Sequence, residues 1–374
     1  MFSEYKWATS IPEVCSFVLA AVWMVRFASG KGTARYSHLL AAYGFVVILG
    51  LAQIAVGITI YRRETWLYII YWLGNLAILF SAIQTFSDVS LRDTFLRRLA
   101  IFGFVVAVVG SLQAITTDAV VYWMFTTKAK GWVVVGPFLS HNQYAAFVEL
   151  LLPVALYTAL TDRVWRWFYL VIAATMYASI FIAGSRAGAI ITSLELVVVM
   201  GVTARSNRLS VKGFWGAAGL LAGMVVLLSI SAGPDYMAKR FEIKDPYSIR
   251  REFLYSSLEM FRQKPITGFG LGNWATAYPR YASFDDGLYA NQAHNDWIQW
   301  AVEGGAPLLL VMLAVAVGTA PRAIRSGWGC GVTAVFMHCL VDYPIQRPAV
   351  AVIFFSLMAA LPAGDTNQRK GKPV

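Results

Sequence analysis

Three side chains able to move a proton or hold a charge, and one amide, crowd into one short stretch of an otherwise oily chain. In "YANQAHNDWIQWAVEGG", residues 289–305, His294, Asn295, Asp296 and Glu303 stand just before a long apolar run. An imidazole can take a proton from a hydroxyl, and carboxylates one or two helical turns away can orient it for that task. A histidine alone at such a boundary is more often structural, so the chemistry depends on what gathers around it. Cations are the candidates. In "FIAGSRAGAI", Arg186 joins two apolar runs with almost no loop, between Gly184 and Gly188. Its guanidinium either snorkels to lipid headgroups or, with thin backbone around it, grips a phosphate or carboxylate through two parallel hydrogen bonds. In "DPYSIRREFLYSSLEMFRQKP", Arg250 and Arg251 open a helical pattern. Neighbours on a helix point about 100° apart, so at least one of the two is a solvated surface charge.

Other polar positions say less. "PITGFGLGNW" spaces Gly268, Gly270 and Gly272 at every second residue, but it lacks the lysine of a P-loop and any strand–helix framework. A tight turn that lets backbones approach closely fits it better. "LSHNQYAAF" puts His141 and Asn142 at the start of an apolar run, and "FMHCLVDYPIQRPA" puts His338 and Asp342 one helical turn apart. Such pairs can simply stitch helices together. His38 sits beside a basic link, and nothing distinguishes it. Cys15, Cys330 and Cys339 lie in apolar runs without a CxxC pair, so neither a disulfide nor a zinc site is expected. No Asp or His cluster has metal-ligand spacing, and no metal or cofactor is expected.

These residues are positioned by a membrane bundle. Of 374 residues, 58% are hydrophobic and 14% charged, and the mean hydropathy of +0.59 is that of a membrane protein. Apolar runs predict about 11 spans (10–12), near residues 11–27, 37–60, 65–86, 98–116, 142–160, 166–183, 187–204, 213–231, 297–320, 328–345 and 348–362. They leave room for one all-α polytopic domain over 1–374. The N-terminus lacks a basic n-region and a cleavage site and reads as a retained segment. The net charge of +11 sits in short links, where orientation and anionic lipid explain it and nucleic acid does not.

Arg26, Lys31 and Arg35, then Arg92, Arg97 and Arg98, Arg163 and Arg166, Arg205, Arg208 and Lys212, and Arg322 and Arg325 fill alternate links. With the Arg369, Lys370 and Lys372 tail, these links are expected on the cytoplasmic side. The links between them are poorer in basic residues, with Arg62 and Arg63, Lys128 and Lys130, Arg186 alone and Arg347 alone, and are expected to face outward. The long stretch 233–296 becomes a large periplasmic loop containing an amphipathic helix, with Ile249, Phe253, Leu254, Leu258 and Phe261 on one face and Pro265 as its stop.

"GSRAG" ahead of a span, an Arg-led helix running into "P-x-x-G-x-G-x-G-N", "AHNDWIQWAVEGG" opening the next span and "H-x-x-x-D-Y-P-I-Q-x-P-A" near the end together resemble the O-antigen ligase and O-antigen polymerase superfamily. The resemblance covers about residues 136 to 360. It implies a multi-pass glycosyltransferase of the bacterial inner membrane with a periplasmic active site. The donor would be a glycan on undecaprenyl pyrophosphate, and the acceptor a lipid A core, a growing glycan or a protein hydroxyl. Arg186 matches the arginine of the G-S-R motif, one of Arg250 and Arg251 the loop-helix arginine, and His294 the histidine of the H-N motif. These imply arginines on the pyrophosphate and His294 as general base, with Asn295, Asp296 and Glu303 in support, in a metal-independent, inverting transfer. The "D-Y-P-I-Q-x-P-A" ending leans towards exopolysaccharide polymerases. The rival is a transporter or flippase of lipid-linked sugars, which would carry ionisable residues at mid-span. Here the charges gather in links and one loop, which favours the enzyme.

Overall fold

The computed structural model describes residues 6–117, 120–126, 134–206, 248–283, 287 and 289–361, with scattered positions from 216 to 226. Its elements are helices α1 (Lys6–Ala28), α2 (His38–Ala55), α3 (Arg62–Thr85) and α4 (Val89–Thr116), a two-residue hairpin of β1 (Val120–Val121) and β2 (Phe125–Thr126), and α5 (His141–Thr161), α6 (Arg166–Ala183) and α7 (Arg186–Arg205). After the undescribed stretch come α8 (Ser248–Gln263), α9 (Trp274–Ala277), α10 (Asp296–Ser326), α11 (Cys330–His338) and α12 (Pro348–Ala360). The all-α architecture expected from composition is present.

Among the described residues, eight helices (α1 to α7 and α10) are long and apolar enough to cross a membrane. The expectation of about eleven spans changes in two ways. The span near 213–231 lies outside the described residues, apart from isolated positions. The spans drawn over 328–345 and 348–362 are short helices, α11 of 9 residues and α12 of 13. At 1.5 Å per residue neither crosses a hydrocarbon core of about 30 Å. Between them the chain leaves the helix at His338, passes Asp342 and makes a 3₁₀ turn at Pro344–Gln346.

Helix α5 is the centre of the bundle. Leu150, Leu151, Leu152 and Leu156 are fully enclosed, and small residues let its neighbours close in. A Cβ at Gly188 of α7 would strike Ala145, and one at Gly331 of α11 would strike the α5 backbone at Glu149. On the periphery, α1 presents Val14, Val18, Val22 and Val25 outward, as a lipid-facing helix does.

The alternation of basic links becomes a spatial fact at one end of the bundle. Gln84, at the end of α3, binds the Arg35 backbone through both N–H and C=O, and Arg97 pairs with Asp162 at 3.0 Å. At the opposite end, helix starts are tied to one another: Asn142 donates to Asp342, Tyr61 N donates to Asn273 and Asp296 N donates to Cys339 O.

The segment from α8 to α10 builds a second core of Phe253, Met260, Phe269, Trp274, Tyr278 and Ile298. Leu254, Leu258 and Phe261 pack on it from α8, whereas Ile249 of the expected apolar face is exposed. Beyond Pro265 the three alternating glycines all take positive φ (63°, 100° and 73°). Added Cβ atoms would collide with the Glu303 carbonyl, Thr59 and Tyr68 respectively. The turn is thus pressed against α2, α3 and a break in α10 at Gly305 (φ 67°), where Ala306 N donates to Pro265 O at 2.7 Å. Buried Gln53 locks it by donating to Thr267 O and Glu303 O, both at 2.8 Å, and accepting from Leu271 N. Gly268→Ala should therefore destabilise the protein by about 2 kcal/mol or more, from positive-φ strain plus backbone collision. Thermal unfolding in detergent checks it, against Gly201→Ala, where the added methyl meets open space.

Candidate functional site

His294 is one of the few non-glycine residues with positive φ (50°), a strained conformation typical of residues that surrounding structure holds in place for a task. The next residue, Asn295, starts α10 by accepting from Ile298 N, and its amide donates to Leu340 O at 2.9 Å. The His294 ring stacks on Phe253 of α8 (centroids 6.0 Å, 13° between planes) and meets Tyr343 edge-on at 4.9 Å. Its Nδ1 is buried and turned towards Asp342 Oδ1 at 3.5 Å, while 34% of the side chain stays exposed. The accessible edge is therefore the Nε2 side.

Asp342 is the hub. It is 2% exposed, accepts from Asn142 Nδ2 at 2.6 Å and from Tyr343 N at 2.9 Å, and lies 3.5 Å from Arg250 Nη2. Asn142 in turn accepts from the Ser185 hydroxyl at 2.9 Å, and Ser185 caps α7 by accepting from Gly188 N. Arg186 is the first residue of that helix. Residues from α5, α7, α8, the α10 start and the α11–α12 linker thus meet around one carboxylate. Burial opposes its ionisation, but His294 and Arg250 outweigh burial and hold it well below the usual carboxylate range.

Of the residues singled out in the sequence, Arg250 and His294 both face Asp342, and Arg186 follows Ser185 at the start of α7. Arg250 faces Asp342, while Arg251 is exposed on α8. Asp296 and Glu303, expected to orient the imidazole, are engaged elsewhere. Asp296 accepts from Gln346 Nε2 at 2.6 Å and from Ile345 N at 3.3 Å, fixing the 3₁₀ turn to α10. Glu303 accepts from Gln299 Nε2 at 2.9 Å and from Trp274 N at 3.4 Å, fixing the glycine turn. The carboxylate that faces His294 comes from 48 positions further along the chain. Asp342 was visible in the sequence only as a helix-stitching partner of His338, and Asn142 only as a helix start. Asp342 had one further signal, membership of a short motif that carried the resemblance, and Asn142 had none.

His338 does make a stitch, through Nδ1 to Glu149 Oε1 at 2.7 Å, with both side chains fully buried. Glu195 is 4% exposed in α7. These ionisable groups inside the bundle correct the expectation that charge is confined to links and one loop.

Residues 168–313 match the family model for O-antigen ligase. The match covers less than half of the chain and supports a place in the O-antigen ligase and polymerase superfamily. No curated protein matches it. The matched O-antigen ligase segment contains Arg186, Arg250, Arg251 and His294 and stops short of Asp342 and its turn. With eight described helices long and apolar enough to cross a membrane, the match supports a multi-pass membrane protein of O-antigen ligase or polymerase type.

Because its ionisation is favoured in the folded state, Asp342 adds stability above the ordinary carboxylate value of about 4, and this is lost as pH falls through the lower folded value. Asp342→Asn should thus lower thermal stability most at pH 5 to 7, with the gap from the parent narrowing below about pH 4. Unfolding curves at stepped pH measure both arms. A gap that stayed constant with pH would show that the charge contributes nothing.

Proposed function

We propose that the protein transfers a glycan from undecaprenyl pyrophosphate to an acceptor hydroxyl at the periplasmic face, with His294 as general base. The observation that carries this is the His294–Asp342 pair: a carboxylate facing Nδ1 favours the tautomer with its proton on Nδ1, leaving the Nε2 lone pair on the accessible side. The 3.5 Å separation is within the range from which catalytic hydrogen bonds tighten when substrate binds.

In the step itself the acceptor O–H gives its proton to Nε2 as its oxygen attacks the anomeric carbon. The bond from that carbon to the pyrophosphate oxygen breaks, and the pyrophosphate departs with the electron pair. Attack from the face opposite the leaving group inverts the anomeric centre. Fixed guanidiniums stabilise the departing charge, and Arg186 and Arg250 have that role. Arg251, exposed on the same helix, is the alternative contact. Among the described residues no three His, Cys, Asp or Glu side chains gather as metal ligands, so cationic stabilisation is assigned to the arginines. The acceptor is a lipid A core, a growing glycan or a protein side chain. The site lies at the helix ends opposite the basic links, which supports the periplasmic placement in the inner membrane.

A second reading, a carrier of lipid-linked sugars, draws on the buried Glu149–His338 pair and Glu195, since ionisable groups inside a bundle commonly line transport paths. The two readings diverge on bond cleavage. Purified protein given an undecaprenyl-pyrophosphate glycan and candidate acceptors should release undecaprenyl pyrophosphate, and intact donor after prolonged incubation would favour the carrier.

Two variants sharpen the test. His294→Ala should reduce transfer by roughly 10²–10⁴-fold while donor binding persists, and a loss within tenfold at normal protein level would refute the general base. Arg186→Lys keeps the charge but not the fork, so it should lose most activity while accumulating normally. Near-parental turnover would make Arg186 a headgroup anchor.

A further inference from the structure

Arg347 ends the Pro344–Gln346 turn and immediately precedes α12. Its Nη2 donates to the Tyr343 hydroxyl at 2.5 Å, and the guanidinium lies over the same ring, 4.5 Å from the centroid. Its Nε is buried with no acceptor. Among the described residues no carboxylate pairs with it, which separates it from Arg250, whose charge faces Asp342. A half-buried guanidinium without a carboxylate partner is unfavourable, yet stacking and the hydroxyl hold this one in a fixed orientation.

The Tyr343 ring that carries Arg347 is also the ring that meets His294 edge-on at 4.9 Å, and Tyr343 N donates to Asp342. The cation thus stands one aromatic ring from the base, anchored on the backbone that fixes the hub carboxylate. The N-terminus of α12, a 13-residue helix, opens at the same point and adds its positive end. Fork, buried donor and helix end together suit a phosphate.

We propose that Arg347 binds the donor's pyrophosphate, supplying from the α11–α12 linker a cation that the matched segment 168–313 does not contain. The assignment rests on the lipid-pyrophosphate reading above. Arg186 belongs to the start of α7 and Arg347 to the linker, so on this reading the two phosphates of the leaving group draw cations from separate elements. Arg250 is then free to serve Asp342 and His294 as well as the donor.

The test uses full-length protein in detergent, with inorganic pyrophosphate as competing ligand and the undecaprenyl-pyrophosphate glycan as donor. Arg347→Ala should weaken pyrophosphate inhibition by about tenfold or more, the loss expected for a charge-assisted hydrogen bond, and raise donor KM in parallel. Arg347→Lys should recover only part of either. Tyr343→Phe keeps the stacking ring and removes the hydroxyl, which separates binding from scaffolding. If Arg347 merely braced Tyr343 against His294, Arg347→Ala and Tyr343→Phe would lower kcat alike and leave pyrophosphate inhibition at its parental value, overturning the proposal. Equal inhibition of parent and Arg347→Ala, with matching unfolding temperatures, would also overturn it. A parent that neither cleaves the donor nor responds to pyrophosphate would instead refute the underlying reading. Arg186→Ala distinguishes the cases: inhibition lost there but retained in Arg347→Ala leaves the reading standing and removes Arg347 alone.

Discussion

The site depends on one buried carboxylate staying charged. Asp342 sits at a helix break with almost no contact with solvent, and an ion there is tolerated only when hydrogen bonds and opposite charge replace water. Asn142, Tyr343 N, Arg250 and His294 do this from four different parts of the chain. The same requirement dictates the architecture: α5 must present Asn142, α8 must lie across the bundle end to bring Arg250, and the α10 start must turn His294 inward at positive φ. The short α11 and the turn after it are what put a carboxylate there.

That arrangement is braced from two sides. On one, the glycine turn at 268–272 is pressed against α2, α3 and the break in α10 by Gln53, Asn273 and Glu303. This fixes α8 and the α10 start as a unit. On the other, Asp296 and Gln346 tie the 3₁₀ turn to α10. The acidic residues beside His294 in sequence thus keep rigid the two elements between which the imidazole works. Rigidity of this kind suits the general-base role proposed for His294, because small misplacements at the reacting atoms cost large factors in rate.

Beneath the site the Glu149–His338 pair and Glu195 sit where α5, α7 and α11 converge, helices brought close by Gly188 and Gly331. Their presence removes the simplest distinction between an enzyme and a carrier, the absence of mid-span charge. The distinction now rests on the site, where a paired imidazole with an accessible nitrogen stands among fixed cations. A carrier needs the cations and has no use for the base.

Composition and periodicity alone determined the all-α membrane bundle and the amphipathic helix after Ser248, because span length and helical period are local properties of an apolar sequence. Alternation of basic links told which helix ends share a side. The motifs picked out Arg186, Arg250 and His294. Only the tertiary structure chose Asp342 over Asp296 as the partner of His294, selected Arg250 over Arg251 as the arginine facing it, and set Arg347 on Tyr343. Each of these depends on which side chains meet across elements far apart in the chain. Nearness in sequence is a poor guide there: Asp296 follows His294 by two residues, but the strained turn and the Asn295 cap start the helix between them and send the two side chains to different neighbours. The last two spans, short enough in sequence to include a broken segment, are two short helices around a turn for a related reason. Hydropathy reports how apolar a segment is, and the α11–α12 region is apolar because protein surrounds it, so its broken backbone could be satisfied by neighbouring groups as lipid would never allow.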